Sequence, residues 1–391
     1  MKKDRDSKTP AGSPESMAEK LARAQRDVRD EYLDESQSYP WIVGYSGGKD
    51  STLVLQLVME MLLSLAPSDR RRQVHVLAND TLVESPILTD YLDRTLEQIR
   101  SAAEALDLPV VVVKTVPETD HTFWVNLIGR GYPSPNRMFR WCTDRMKIRP
   151  TSSYILRNIS THGHAILLLG VRRTESAVRA SSVDRYRPRD GTRLNPHNDL
   201  NGCLVFRPVV DFTTDEVWQI LLQRSPPWGG SHEELVGLYR DAQGGECPVI
   251  VDKAEAPSCG TSSSRFGCWT CTVVEKDRSM EGFIDAGYEH LEPLLFFRDW
   301  LASIRNDRNR RLKERRNGQV TLMQDGSHVP GPFTLETRKE ILDRLLAVQN
   351  EVGRTLISEA ELDRIREVWA EDVALDSRRV LKKLQTLKRD A

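Results

Sequence analysis

Two sets of residues in this chain have the types and spacing for chemistry. The first is Ser46-Gly47-Gly48-Lys49-Asp50-Ser51. Glycine lets a ligand approach the backbone closely and adopts unusual dihedrals. Free N–H groups at a helix N-terminus converge on negative charge. Lys49 adds a point charge for phosphate, and the hydroxyls of Ser46, Ser51 and Thr52 can donate. The second set is sulfur. Of six cysteines, Cys247, Cys259, Cys268 and Cys271 lie within 25 residues, and Cys268-Trp269-Thr270-Cys271 is a C-x-x-C knuckle. No histidine lies near it in sequence, so a metal held there has thiolate ligands. A four-cysteine zinc site, an iron–sulfur cluster and a redox disulfide all suit that pattern.

The elements that must position these groups alternate. Trp41 to Tyr45 reads as a buried strand, and a helix pattern starts after Ser51, with Leu53, Val54, Leu57, Val58, Met61, Leu62 and Leu65 on one face. A second strand, Val74 to Ala78, ends in Asn79-Asp80-Thr81. A helix over Ile87 to Leu106 leads to a third strand, Val110 to Val113. Ala165 to Leu169 is a fourth strand, running into Gly170-Val171-Arg172-Arg173-Thr174-Glu175-Ser176, and Val205 to Val209 is a short fifth. This is an α/β chain with a parallel sheet and helices on both faces. Ligands in such sheets bind beyond the carboxyl ends of the strands, where the Ser46–Ser51 loop, Asp80, Arg172 and Glu175 all fall.

Each of these has a plainer reading beside the functional one. Asp80 either faces a ligand or caps its strand with an Asx turn. Arg172 is either a bidentate phosphate donor or part of a surface network with Glu175 and Arg179. Trp124, Tyr132, Phe139 and Trp141, in a loop-rich stretch, either cover the site or pack on the sheet. Cys142 precedes the basic turn Thr143–Pro150, whose charges favour thiolate. Cys203 reads as a buried core thiol. Arg185 to Leu200 reads as a mobile loop, and Asp211–Trp218 as a capped helix start.

Composition sets bounds. The chain has 391 residues, 39% hydrophobic and 29% charged, with a net charge of −1. That balance gives no global pull toward nucleic acid, so such binding must use local patches. The strongest basic run is Asn306–Arg316, a solvated helix on the ordinary reading and the best sequence candidate for a nucleic-acid phosphate contact. Helices are expected over Leu335–Gln349 and Glu359–Trp369, the second after a Ser358…Glu361 capping box. No apolar stretch is long enough for a membrane span, the polar start does not read as a leader or an anchor, and the expected compartment is the cytoplasm.

The phosphate loop is not a P-loop: Val43 stands where glycine is needed, and Asp50 follows the lysine where Ser or Thr should hold magnesium. Ser46–Ser51, Asn79-Asp80-Thr81, Arg140-Trp141-Cys142-Thr143 and Gly170–Ser176 together resemble the phosphoadenylyl-sulfate reductase family of the adenine-nucleotide α-hydrolase superfamily. Gly245-Glu246-Cys247-Pro248, Ser258-Cys259-Gly260 and Arg265–Thr272 resemble, more narrowly, the DndC-type DNA phosphorothioation proteins, over about residues 36 to 350.

The resemblance implies a disordered start at 1–16, an ATP pyrophosphatase α/β domain at 17–225, an iron–sulfur region at 226–300 and a basic, helical region at 301–391. It implies ATP bound through Ser46, Gly47, Gly48, Lys49, Asp50 and Ser51, with Asp80, Arg172 and Glu175 around it and Asp50 assisting Mg2+. A 4Fe–4S cluster would be held by Cys142, Cys259, Cys268 and Cys271, with Cys247 left as a sulfur carrier. The implied reaction adenylates a DNA backbone phosphate and then inserts sulfur. Its sulfur comes from a cysteine desulfurase, and other phosphorothioation-complex subunits are implied partners. A phosphoadenylyl-sulfate or adenylyl-sulfate reductase and a tRNA thiolase are the competing enzymes. An ATP-sensing DNA-binding scaffold is the non-enzymatic alternative.

Overall fold

The computed structural model describes residues 15–175, 192–242 and 266–387, the side chains of Glu175 and of 376–387 excepted. Of the start expected to be disordered, 1–16, residues 1–14 lie outside these residues, as do Arg179, Cys247 and Cys259, while Ser16 is ordered as a helix cap. Helix α1 (Met17–Leu33) opens on a full capping box between Ser16 and Glu19. Strand β1 (Trp41–Gly44) is buried along its whole length. Helix α2 (Lys49–Ser64) begins earlier than its apolar pattern, so Lys49, Asp50 and Ser51 form its first turn instead of preceding it. There follow β2 (Val74–Asn79), α3 (Pro86–Ala105) and β3 (Val110–Thr115). A π-helical turn (Thr143–Ile148) carries the chain from Cys142 straight into α4 (Arg149–His162).

The second half of the sheet adds β4 (Ala165–Leu168), β5 (Leu194–Pro196) and β6 (Cys203–Phe206). β5 falls inside the stretch read as a mobile loop: it pairs antiparallel with β6, which occupies its carbonyls and N–H groups. The fifth strand expected at Val205–Val209 starts two residues earlier, at Cys203. Helices α5 (Thr214–Gln223, capped by Thr213 and Glu216), α6 (Glu233–Asp241), α7 (Arg278–Asp285), α8 (Glu292–Ile304), α9 (Leu335–Val352) and α10 (Glu359–Leu387) complete the described residues. None of the described helices is long and apolar enough to cross a membrane.

The sheet order is β3-β2-β1-β4-β6-β5, and every pair but the last is parallel. Side chains alternate across it and build two cores. Trp41, Val43, Val74, Val76, Ile166 and Leu168 face the core shared with α1, α2 and α3. Ile42, Leu77, Leu167 and Val205 face α4 through Ile155. From β1 the chain runs outward through β2 and β3, then returns to β4 on the other side of β1. The carboxyl ends of β1 and β4 are therefore the topological switch point, where such sheets bind ligands.

The 115–141 stretch is largely core. Trp124 and Trp141 are buried, Phe123 stacks on Trp141 at 5.3 Å, and Trp124 meets Trp269 at 5.8 Å. Its indole donates to Leu356 O at 2.7 Å, and Trp369 returns a bond to Ile128 O at 3.0 Å. Those bonds tie the carboxyl-terminal helices to the sheet domain. The basic run is not a helix beyond one 3-10 turn, Arg308–Arg310. Arg310 pairs with Glu340, Arg311 donates to the carbonyls of Arg305, Gly331 and Pro330, and Arg316 pairs with Asp372. Half of its six cations therefore hold the fold together.

Candidate active site

Gly47 takes φ +75°, a region that L side chains rarely enter, and so turns the chain out of β1. Gly48 is the N-cap of α2 and offers no side chain to the helix's opening N–H groups. The loop braces itself around Ser51: its hydroxyl donates to Gly48 O at 2.9 Å and receives Ser46 N–H at 3.2 Å. Tyr239, on α6, accepts the Lys49 N–H at 3.3 Å and lays its ring 5.7 Å from Nζ. Burial pushes the Tyr239 hydroxyl well above its ordinary range, with the Asp50 charge adding to it. No periodicity in the sequence marked this residue.

Arg172 arrives from the other side of the switch point. Gly170 makes the crossing possible: a Cβ there would meet Asp50 C and Ser51 N at 2.7 Å. Two residues on, the Arg172 guanidinium is 2% exposed, with Nε 2.5 Å from Asp50 Oδ1 and Nη2 3.4 Å from Oδ2. Nη1 donates to Thr174 at 3.0 Å and Thr214 at 3.1 Å. Lys49 Nζ lies 3.0 Å from Asp50 Oδ2. Two buried cations thus share one carboxylate under the loop. The Glu175 side chain and Arg179, the other members of the expected network, lie outside the described residues.

Magnesium does not fit Asp50 as expected, because both carboxylate oxygens already face cations. Asp80 is likewise engaged. One oxygen accepts Leu82 N–H at 2.7 Å in an Asx turn and the other lies 3.3 Å from Lys114 Nζ. The turn holds Leu82 at φ 65°, a strained region for a leucine, and swings Val83-Glu84 toward the cysteine knuckle.

The knuckle docks there by backbone. Glu84 and Cys268 form an antiparallel bridge, and Trp269 N–H donates to Val83 O at 3.0 Å. Thr81 Oγ1 lies 3.3 Å from Cys268 Sγ. The Cys271 N–H closes the knuckle onto Cys268 O at 3.0 Å. Arg298, fully buried on α8, caps the exit: Nε donates to Cys271 O and Nη1 to Glu275 O, both at 2.9 Å, and Nη2 donates to Val274 O. Thr272 Oγ1 donates to Pro135 O at 2.6 Å, and Trp141 Nε1 to Pro133 O at 3.0 Å. The segments bearing Cys142 and Cys268 are therefore laced to one short loop. Among the described residues no group of three or more His, Cys, Asp or Glu is arranged to hold a metal. The all-thiol donor set suits iron–sulfur or zinc, and Cys247 and Cys259 lie outside the described residues.

One cleft joins the two chemistries. Ser46, Gly47 and Gly48 form one wall; Leu88, Tyr91, Leu92, Leu235 and Leu238 form an apolar side; Glu84, Phe266 and Gly267 lead to Cys268. Burial pushes the Glu84 carboxyl up, with Lys147 opposing at 4.0 Å.

Residues 40–274 match the phosphoadenosine phosphosulfate reductase domain. An uncharacterized protein of Methanocaldococcus jannaschii is 22% identical over 195 residues, 50% of this chain and 34% of its own length. The chain thus spans about a third of the curated relative it matches. A phosphoadenylyl-sulfate reductase from Candida auris is 13% identical, covering 59% of this chain and 95% of its own, with a TM-score of 0.33. The U34-tRNA thiolase NcsA from Methanococcus maripaludis, solved with its [4Fe–4S] cluster, is 13% identical over 81% of this chain and 91% of its own, TM-score 0.33. The FMN adenylyltransferase of Candida glabrata is 11% identical over 60% and 63%, TM-score 0.32. The family match covers more than half of the chain, and it ends in Cys268 and Cys271: the chain belongs to the phosphoadenosine phosphosulfate reductase domain family.

Proposed function

We propose that this chain activates a DNA backbone phosphate with ATP and exchanges one of its oxygens for sulfur. The observation that carries the reading is the Glu84–Cys268 bridge, which places a thiol knuckle at the edge of the cleft lined by the phosphate loop. A scaffold that only senses nucleotide has no need of sulfur there.

ATP sits with its purine on the apolar wall and its phosphates on the opening N–H groups of α2. Lys49 and Arg172 neutralise charge as the bond between the α and β phosphates breaks. A non-bridging oxygen of the DNA phosphate attacks the α-phosphorus, pyrophosphate leaves, and AMP remains on the backbone. The outer sulfur of a Cys247 persulfide, loaded by a cysteine desulfurase, then attacks the phosphorus and displaces AMP; a second thiol cleaves the sulfur–sulfur bond, releasing the phosphorothioate and leaving a disulfide that an external thiol reductant reopens. The protein's share is positioning and charge neutralisation between two anions. Cys142, Cys259, Cys268 and Cys271 would hold a 4Fe–4S cluster, which when bound supplies a soft, sulfur-binding centre. Cys247 is the proposed carrier. The choice of DNA rests on the sequence resemblance.

The test supplies ATP, plasmid DNA, a cysteine desulfurase and labelled cysteine, then digests the DNA and weighs the dinucleotides. Phosphorothioate linkages are expected. Sulfite from a phosphoadenylyl-sulfate substrate without ATP use, or label found only in tRNA, would overturn the reading.

A further inference from the structure

The turn before Cys142 holds two apolar side chains out into solvent. Met138 is 94% exposed and Phe139 42% exposed. They are pinned in place: Asn136 Oδ1 accepts the N–H groups of both at 2.9 Å, and Asn136 and Phe139 exchange backbone bonds. A pinned, exposed Met-Phe pair keeps its apolar surface in water, an arrangement that favours a partner.

From Phe139 a strip of stacked groups runs across the surface. Phe139 lies 6.0 Å from Tyr132, and the Arg145 guanidinium lies 5.7 Å from the Tyr132 ring. Arg145 Nη1 then donates to His121 Nδ1 at 2.8 Å, which leaves the hydrogen of the neutral ring on Nε2. Arg149 Nη1 faces that same Nε2 at 3.4 Å, so two donors confront each other. Burial, followed by the charges of Arg145 and Arg149, pushes the His121 pKa down, so the ring does not add a third charge. Arg149 has Asp144 at 2.8 Å, whereas Arg145 has no carboxylate within ion-pair range among the described residues. Glu118 approaches the ring only at 4.0 Å and is otherwise exposed. Two guanidiniums around a neutral imidazole lack one anion. Residues 137–149 carry Arg137, Arg140, Arg145, Lys147 and Arg149 against the single acid Asp144.

We infer that this strip seats a nucleic-acid strand, with an unstacked base against Met138 and Phe139 and a backbone phosphate between Arg145 and Arg149. Every base has a π-face for an aromatic platform, and phosphate is the anion that guanidiniums receive in bidentate fashion. A protein partner would use the apolar pair and leave the guanidinium cluster unanswered. The inference extends the proposed function, whose polymer substrate it would deliver beside Cys142.

The test measures anisotropy of a fluorescein-labelled single-stranded 20-mer DNA with the full chain over a salt series, and in parallel an RNA of the same sequence. Substituting both exposed residues, Met138→Ser with Phe139→Ser, should weaken binding about tenfold with the salt slope kept. Arg145→Gln should lower that slope by about one. Neither residue lines the nucleotide cleft, so ATP affinity should hold in both variants and reports that they are folded. Wild-type affinity in both variants overturns the inference. So does a wild-type chain that binds neither strand, which would leave a protein as the occupant of the Met-Phe pair. Tighter binding of the RNA, lost in the same variants, supports the strip and overturns the DNA reading.

Discussion

Asp50 and Arg172 are 122 positions apart in the chain and meet in a 2.5 Å ion pair, both almost fully buried. Lys49 closes on the same carboxylate from the adjacent position. The pair joins the ends of β1 and β4 at the switch point, so it is part of the fold and of the site together. Arg172→Leu should cost about 3 kcal/mol, because it removes one partner of a buried pair. ATP cleavage should fall about 100-fold. Urea unfolding and pyrophosphate release measure the two effects separately.

Gly170 is needed for its lack of a side chain, not for its dihedral. Gly170→Ala should cost about 2 kcal/mol, since the new methyl meets the backbone of Asp50 and Ser51 at 2.7 Å. Gly237 on α6, whose added Cβ has nothing nearer than 3.9 Å, is the control. Gly237→Ala should be neutral or stabilising by about 0.5 kcal/mol. Thermal melts of the two variants should move in different directions.

Arg298 carries a buried charge that pairs with Asp299 and donates to three carbonyls of the knuckle's exit. Arg298→Leu leaves them unanswered and should cost about 3 kcal/mol. The knuckle should loosen before the sheet does. Faster alkylation of Cys268 and Cys271 at a temperature where far-UV circular dichroism is unchanged would report that order of events.

The sheet was legible because short continuous apolar runs broken by turn residues, alternating with helical patterns, mark buried parallel strands. The loop Ser46–Ser51 was legible because glycine, lysine and hydroxyls are local. What the sequence hid was long-range or geometric. Tyr239 reaches Lys49 across 190 positions, and Arg298 reads as one more charged residue on an amphipathic helix. The helical start of α2 was misplaced by three residues because its first turn is polar, and pattern reading follows the apolar face. The basic run at 306–316 looked like a nucleic-acid surface, since charge alone does not reveal that Arg310, Arg311 and Arg316 are already paired.

His232 gives the pH dependence. Burial lowers its pKa to about 4 from the ordinary 6.5, and Nε2 bonds to Gln56 Oε1 at 2.7 Å. The folded ring resists a proton that the unfolded chain accepts. Above pH 6.5 both states are neutral and nothing changes. As pH falls from 6.5 to 4, the unfolded chain gains the proton and folded stability drops. The loss should total about 3 kcal/mol and be complete below the folded value. Urea midpoints across that window should fall in the wild type and stay flatter in His232→Gln.

The most direct measurement is the fate of ATP labelled at the α-phosphate, incubated with DNA and separated by chromatography. The label is expected in AMP, with an equal amount of pyrophosphate in a parallel enzyme-coupled assay, both stimulated by DNA and abolished in Lys49→Ala. Label appearing in ADP, or ATP left intact while a phosphoadenylyl-sulfate substrate yields sulfite, would contradict it.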